Sequence, residues 1–171
     1  GLNTNGIKGA AVSLAFMYRI FAKEYKVYLF DRRKNIKQNV TVRELAADIA
    51  MAMDELQLSN ADVLGVSQGG MIGQYLAIDR PDLVHKLVLA VTLSKNNNVV
   101  ENVINEWIQM TEQGNMKNLI EDMAIKMYSD EYIKKYKVMM PLLTIVQKPK
   151  SVERFITLAQ ACLTCKTFDE L

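Results

Sequence analysis

The stretch that decides the fold is "ADVLGVSQGGMIGQYLA", residues 61–77. It opens with the short apolar run "ADVLGV", which is typical of a buried strand. A Gly-x-Ser-x-Gly-Gly segment follows, and "QGGMIGQYLAIDR" then has the pattern of a helix that Pro81 ends. The stretch therefore predicts a strand, a tight turn at Ser67 and a helix.

The glycines around Ser67 have a steric reason. A backbone that turns directly from a strand into a helix bends so sharply that the residues two before and two after the turn must lack side-chain bulk, as Gly65 and Gly69 do. Gly70 and Gly73 let the helix pack closely on the sheet. The spacing of the glycines therefore agrees with the predicted strand and helix.

The same turn places Ser67 where a nucleophile can act. The helix N-terminus and the backbone N–H of Gln68 lie beside its hydroxyl, where they stabilise a developing oxyanion. The chemistry that fits this arrangement is acyl transfer. A Gly-x-Ser-x-Gly pattern alone is weak evidence, but the strand before it and the helix after it make it specific.

The first half of the chain alternates between element types. The predicted order is a helix over 11–22, a strand Tyr25–Phe30, a helix Thr41–Leu58, the strand and helix already described, and a strand His85–Leu93. Thr41 and Glu44 have the spacing of a capping box at the start of the second helix. This alternation predicts an α/β fold with a mostly parallel sheet and flanking helices.

After Ser94 every segment has a helical pattern, so we predict a core over residues 1–94 and an all-helical cap over 95–171. Gly114, Ser129 and Pro141 separate its helices. The cap is rich in methionine, which suits either ordinary apolar helix faces or an adaptable lining above a substrate pocket. Trp107 and Met110 are the candidate pocket residues. 

Composition limits the other classes of function. The 171 residues are half hydrophobic and carry a net charge of +2, which suits one domain and gives no field that would recruit nucleic acid or an anionic membrane. There is no uninterrupted apolar run long enough for a membrane span, and the N-terminus lacks the features of a secretory signal. The sequence therefore predicts a soluble, cytoplasmic protein. It gives no oligomeric state.

Cys162 and Cys165 form a Cys-x-x-Cys pair. A zinc site needs about four ligands, and the one histidine is far away in the sequence. A redox pair belongs where a strand turns into a helix, whereas these cysteines fall late in a helix that begins at Ser151. We expect two reduced thiols, and we predict no metal and no cofactor.

The segment "LGVSQGGMIGQYLAIDRPDLVHKLVLAVT" resembles the nucleophile-elbow core of the α/β-hydrolase superfamily. Around it, "FAKEYKVYLFDRR" is similar to the family's fourth strand, "TVRELAADIAMAMDELQL" to the next helix, and "SVERFITLAQACLTCKTFDEL" to the last cap-side helix, which leads toward the seventh strand. The resemblance implies that Ser67 is the nucleophile and that the Gln68 amide is one oxyanion donor. It implies a small ester, lactone or related acyl compound as the substrate.

The loop after the predicted fourth strand departs from the family pattern. The family has D-x-R-G-x-G-x-S here, whereas this chain has "DRRKNIKQNVT", without glycine. Arg32, Arg33, Lys34 and Lys37 make the loop basic. Two interpretations remain open, namely a solvated loop and a patch that draws an anionic substrate toward the pocket.

The partners that Ser67 needs are not found in the sequence. The family's triad continues with an acid and then a histidine. A helix of about 13 residues would separate His85 from Ser67 by roughly 20 Å. A general base must lie within about 3 Å of the proton that it removes, or reach it through one water molecule. Asp31 has no histidine to orient. The sequence thus predicts neither acid nor base in this chain.

By the same resemblance, the family's third strand lies between the fourth and the fifth, and only the tail of its oxyanion loop would fall within residues 1–6. We therefore expect an incomplete sheet with unpaired backbone groups and bare apolar faces. We therefore expect the chain to be a segment of a longer hydrolase.

Two other functions remain open, namely a non-catalytic ligand-binding or receptor protein on the same fold and an acyltransferase. A nucleotide-binding domain is disfavoured because the P-loop and G-x-G-x-x-G patterns are missing.

Overall fold

The computed structural model describes residues 11–136 and 151–171. The predicted oxyanion-loop tail near residues 1–6 and the helix breaker Pro141 lie outside these residues. The described helices are α1 (Ala11–Tyr18), α2 (Val42–Glu55), α3 (Gln68–Asp79), α4 (Asn98–Glu112), α5 (Met116–Met127), α6 (Asp130–Tyr136) and α7 (Val152–Cys162). The strands are β1 (Ala61–Val66) and β2 (Val84–Ala90).

The two strands form a parallel pair joined by α3, as the alternation predicts. Val63 is paired with Leu87 and Gly65 with Leu89, so these side chains share one face of the sheet. α3 packs on that face, and α2 packs on α3. The fold is thus the predicted α/β arrangement, with a sheet of two strands in the described residues.

The predicted strand Tyr25–Phe30 is wrong. The segment follows a short 3₁₀ turn, Phe21–Lys23, and forms no sheet ladder. A strand needs a hydrogen-bonded neighbour, and β1 pairs only with β2 within residues 11–136 and 151–171. Aromatic and β-branched residues alone therefore do not make this segment a strand.

The third predicted strand is shorter than the apolar run suggests. β2 ends at Ala90 rather than at Leu93 because Val91 has a φ of 46°. That value lies in the left-handed region, where a β-branched residue cannot continue a strand. The chain leaves the sheet here and reaches Thr92, which contacts the turn at Ser67.

The predicted capping box at the start of α2 is confirmed. The Thr41 hydroxyl accepts a hydrogen bond from the Glu44 backbone N–H at 3.1 Å, and the Glu44 carboxylate accepts one from the Thr41 N–H at 2.8 Å. α2 buries Leu45 and Met53 against the core. Two otherwise unpaired backbone groups are thus satisfied where the helix begins.

The helices after β2 contribute to the same core as the sheet. α7 is the most deeply buried of the described helices that follow β2, with Phe155 at 2% exposure and Leu158 at 0%. It packs against α4, and α4 packs against α5. One buried cluster contains residues of α2, α3, α4, α5 and α7.

One face of the sheet is open in the described residues. Leu64 and Val88 are paired on the face opposite α3, and they are 45% and 57% exposed. Phe16 of α1 is 65% exposed. These are the bare apolar surfaces that the sequence predicts.

None of the described helices combines the length and apolar character that crossing a bilayer requires.

α3 approaches the sheet through glycines. A Cβ atom at Gly65 would lie 2.6 Å from the Gly70 Cα and 2.7 Å from the Gly69 carbonyl oxygen. A Cβ at Gly73 would lie 3.0 Å from a methyl group of Leu87. The steric reason predicted for Gly69 is not found, since a Cβ there would meet no described atom within 4 Å. The close approach therefore depends on Gly65 rather than on Gly69.

We predict that Gly65→Ala destabilises the protein and that Gly69→Ala does not. The new methyl group at residue 65 would overlap backbone atoms that cannot rotate away, a kind of overpacking that costs about 1–3 kcal/mol. Urea unfolding of the two variants beside the wild type measures the difference. Equal losses for both would show that the predicted contact does not control stability.

Thr41→Ala is expected to lower the free energy of unfolding by about 1 kcal/mol, because it leaves the Glu44 backbone N–H without its acceptor. Thr41→Ser keeps the hydroxyl and is the matched control. Chemical denaturation of both variants tests the capping box. A loss as large in the serine variant would assign the effect to the Thr41 methyl group instead.

Candidate active site

Ser67 occupies the turn between β1 and α3 in a strained backbone conformation. Its φ is 54° and its ψ is −125°, a region that residues other than glycine rarely adopt. The Ser67 N–H donates to the Ala90 carbonyl at 3.0 Å. The Ser67 carbonyl accepts from the Gly70 N–H and the Thr92 hydroxyl, each at 2.8 Å. Bonds to β2, α3 and the segment after β2 therefore hold the turn in place.

The polar groups at the tip of this turn are available. The exposed Ser67 side chain makes no hydrogen bond to the described residues and does not cap α3. The Gln68 backbone N–H, at the start of α3, likewise has no acceptor in the part of the chain that the structure describes. An unpaired N–H at a helix N-terminus attracts negative charge. The arrangement can place a reacting hydroxyl beside an anion-stabilising donor.

The Gln68 side chain has a role that the sequence does not reveal. It is 1% exposed, and its Nε2 donates to the Leu158 carbonyl at 2.7 Å and to the Cys162 Sγ at 3.1 Å. Its Oε1 accepts from the Arg32 Nη2 at 2.7 Å. The residue after Ser67 thus joins the turn to α7 and to the basic loop.

The basic loop is anchored rather than simply solvated. Arg154, in the first turn of α7, donates from Nη1 to the carbonyl oxygens of Arg33 and Lys34, each at 2.8 Å. The Arg33 side chain pairs with Asp48 of α2. Burial lowers the pKa of the Arg32 guanidinium, which is partly buried beside Gln68. The loop after Phe30 is therefore fixed at the same end of the sheet as Ser67.

A second buried amide fixes the other side of α3. The Gln74 Nε2 donates to the Leu93 carbonyl at 3.0 Å, and its Oε1 accepts from the Thr167 hydroxyl. The Thr167 N–H donates to the Ser94 carbonyl at 2.8 Å. Lys95 and Lys166 form an isolated antiparallel bridge. The segment after α7 therefore lies beside the residues that follow β2.

Both cysteines are buried and free. Burial raises the pKa of the Cys162 thiol, which outweighs the lowering by its hydrogen bond from Gln68. Burial also raises the pKa of the Cys165 thiol. The Cys162 sulfur is a hydrogen-bond partner at the end of α7, and a raised pKa makes it a poor nucleophile.

The predicted pocket residues Trp107 and Met110 lie on α4 and are partly buried against the core. The Trp107 indole N–H donates to the Asp122 carboxylate at 2.7 Å. Burial acts to raise the pKa of Asp122. Hydrogen bonds from Lys126 and Trp107 together lower it by more than burial raises it, so the pKa is below its ordinary value. No hydrogen bond within the described residues joins Trp107 to Ser67, and the lining role stays a prediction.

His85 lies at the opposite end of the sheet from Ser67. It is in the second position of β2, beside the start of β1, and its Nδ1 is 2.8 Å from the Asp62 carboxylate. Ser67 comes five residues after Asp62 along β1, so the two residues are roughly 16 Å apart at about 3.3 Å per strand residue. The Asp31 carboxylate accepts from the Arg32 backbone N–H at 2.9 Å. His85 is therefore too far away to act on the Ser67 hydroxyl, and no hydrogen bond within the described residues joins Asp31 to Ser67.

The chain is similar to hydrolases in sequence. A carbamate hydrolase RutD of Caulobacter segnis, provisionally so named, is 24% identical over 139 residues, which are 77% of this chain and 52% of that protein. The 3-oxoadipate enol-lactonase 2 of Acinetobacter baylyi is 31% identical over 80 residues, 44% of this chain and 30% of that protein. The chain spans about half the length of the first relative and less of the second.

The fold has solved counterparts. The crystal structure of MGS-M2, an alpha/beta hydrolase enzyme from a Medee basin deep-sea metagenome library, superposes with a TM-score of 0.80. Identity is 17%, and the match covers 94% of this chain and 62% of that one. A sequence model described as "alpha/beta hydrolase fold" matches residues 13–127, which is more than half of the chain. With the turn at Ser67 and the parallel β1–α3–β2 unit, this match shows that the chain belongs to the α/β-hydrolase fold family.

Proposed function

We propose that the chain carries the nucleophile of a serine hydrolase that acts on a small ester, lactone or related acyl compound. The observation that carries the proposal is the turn itself. Ser67 is exposed and held in a strained conformation, beside the Gln68 N–H, which has no acceptor among the described residues. The names of the relatives, a carbamate hydrolase and an enol-lactonase, support a hydrolase.

In the proposed reaction the Ser67 Oγ attacks the carbonyl carbon of the substrate while its proton passes to a histidine. The carbonyl oxygen becomes an oxyanion that accepts a hydrogen bond from the Gln68 N–H. When the intermediate collapses, the bond to the leaving group breaks and the leaving oxygen takes the proton from the histidine. Water then cleaves the acyl–serine ester by the reverse sequence of proton transfers.

The histidine and its acid are proposed to come from outside these 171 residues, because His85 is the only histidine and is paired with Asp62 at the far end of the sheet. Trp107 and Met110 are proposed to border the substrate pocket from α4. A cytoplasmic location is part of the proposal, and the two free, buried cysteines support it since reduced thiols suit that compartment.

A fluorophosphonate probe tests the role of Ser67 in the protein expressed from the complete gene. We expect the probe to label Ser67, because an activated serine reacts with it and an ordinary one does not. Ser67→Ala should abolish labelling. Ser59→Ala is the matched control, since Ser59 is exposed in the loop before β1 and should not affect labelling. Lack of labelling at Ser67 would favour a ligand-binding role without catalysis.

The 171 residues alone are expected to turn over p-nitrophenyl acetate no faster than their Ser67→Ala variant, because no histidine lies near the Ser67 hydroxyl in the described residues. Initial rates at increasing ester concentrations give the comparison. Saturable turnover that Ser67→Ala removes would contradict this and would require a base within the chain.

A further inference from the structure

Thr92, the second residue after β2, contacts the turn at Ser67 from outside α3. Its hydroxyl donates to the Ser67 carbonyl at 2.8 Å. The same carbonyl accepts from the backbone N–H groups of Gly70 and Met71, at 2.8 and 3.3 Å. Those two donors belong to α3 itself. Among the described residues, therefore, only Thr92 joins this carbonyl to another part of the fold.

The Ser67 carbonyl and the Gln68 N–H are the two ends of one peptide group. A peptide group is planar, and this one is trans, so its C=O and N–H bonds point in opposite directions. A hydrogen bond that fixes the direction of the Ser67 carbonyl therefore also fixes the direction of the Gln68 N–H. It also polarises the peptide group, which strengthens the N–H as a donor. Thr92 can thus act on the proposed oxyanion donor from the far side of the peptide.

The Thr92 side chain has little freedom at this position. It is half-buried and lies against Gly70, where a Cβ atom would come within 2.6 Å of the Thr92 Cβ and 2.7 Å of its Oγ1. Glycine at residue 70 thus leaves the room that the threonine occupies. Threonine is also stiff at χ1, because its Cβ is branched. The hydroxyl therefore has a fixed position beside the Ser67 carbonyl.

The backbone just before Thr92 is strained, and packing of the strained side chain does not explain it. Val91 has a φ of 46°, an outlier for a β-branched residue, and it is 84% exposed. Both of its neighbours bond to the turn, since the Ala90 carbonyl accepts from the Ser67 N–H and the Thr92 hydroxyl donates to the Ser67 carbonyl. Strain of this kind persists where the surroundings over-determine it, often at functional sites. The bend at Val91 thus lets its two neighbours hold Ser67 through both of its backbone polar groups.

We infer that Thr92 is a positioning residue for the reaction at Ser67: its hydroxyl orients and polarises the Ser67–Gln68 peptide group, so that the Gln68 N–H keeps the direction that an oxyanion donor needs. The inference rests on the proposed function and adds to it a residue that acts through another group rather than on the substrate. Preorganised donors act mainly on the transition state, because the negative charge develops there. Loss of the Thr92 hydroxyl should therefore affect kcat rather than KM.

The kinetic test uses p-nitrophenyl acetate and the protein expressed from the complete gene. Thr92→Val keeps the shape of the side chain without its hydroxyl, and we expect it to lower kcat by about 10-fold and to leave KM within about twofold. Thr92→Ser keeps the hydroxyl and should keep kcat within about twofold, because the bond remains. An unchanged kcat in Thr92→Val would overturn the inference. An equal fall in Thr92→Ser would assign the effect to the methyl group against Gly70 and would also overturn it.

Thr164→Val is the matched control for a loss of stability. Thr164 is half-buried like Thr92, and its hydroxyl donates to the Ala161 carbonyl at 2.7 Å and accepts from the Val42 N–H at 2.9 Å. Removing it should therefore lower the thermal unfolding midpoint at least as much as Thr92→Val does. We expect kcat to stay within about twofold, because neither bond involves the turn at Ser67. A similar fall in kcat for both variants would assign it to lost stability and would overturn the inference.

A spectroscopic measurement separates the inference from the proposed catalysis. In a weakly aligned sample, the residual dipolar coupling of the Gln68 N–H reports the direction of that bond by nuclear magnetic resonance. We expect Thr92→Val to change this direction, and Thr92→Ser and Thr164→Val to keep that of the wild type. An unchanged direction in Thr92→Val would overturn the positioning role, whatever the rates are.

The two measurements together distinguish failure of the inference from failure of the proposed function. If the wild type hydrolyses no ester while the direction of the Gln68 N–H still depends on Thr92, the proposed function fails and the orienting role of Thr92 stands. If the wild type is active and neither kcat nor this direction depends on the Thr92 hydroxyl, the inference fails and the proposed function stands. If Thr92→Val does not fold, the same comparisons with Thr92→Ala decide the outcome.

Discussion

The backbone turn at Ser67 is the constraint on which the rest of the structure depends. Its φ of 54° is unfavourable for a serine, and hydrogen bonds to Ala90, Gly70 and Thr92 stabilise it. The same bend brings Gly65 to within contact of Gly70, so α3 begins directly on the sheet and covers it. Any side chain at residue 65 would push the helix away from the strand. Strain of this kind persists only where the surroundings determine it, and such places are often functional.

Buried side-chain amides connect this turn to parts of the chain that are distant in sequence. Gln68 reaches α7 and the basic loop, and Gln74 reaches the residues after β2 and the segment after α7. Both side chains are 1% exposed, and each is hydrogen-bonded through both its nitrogen and its oxygen. A buried amide that lost one of these partners would cost free energy, so each bond specifies one position of the neighbouring segment.

Local patterns predict β1, α2 and α3 well, because their signals lie within the elements themselves. The capping box of α2 needs only Thr41 and Glu44, and the close approach at the turn needs Gly65 beside Gly70. The strand assigned to Tyr25–Phe30 is wrong because a strand also needs a neighbour, which local sequence cannot supply. The bonds from Gln68 to Arg32 and to Leu158 cross 36 and 90 residues, and residue spacing carries no signal for them. The elements around the turn could thus be predicted from the sequence, and the side-chain contacts that surround Ser67 could not.

The separation of these contacts along the chain also implies an order of folding. The pairing of β1 with β2 and the packing of α3 on both involve only residues 61–90, so closing this unit costs little chain entropy. The bond from Gln68 to α7 closes a much longer loop and gains nothing until α7 has docked. The conformation of Ser67 can therefore arise early and locally. The Gln68 side chain is secured only when α7 has docked, so we expect the surroundings of the serine to be fixed later in folding than the turn itself.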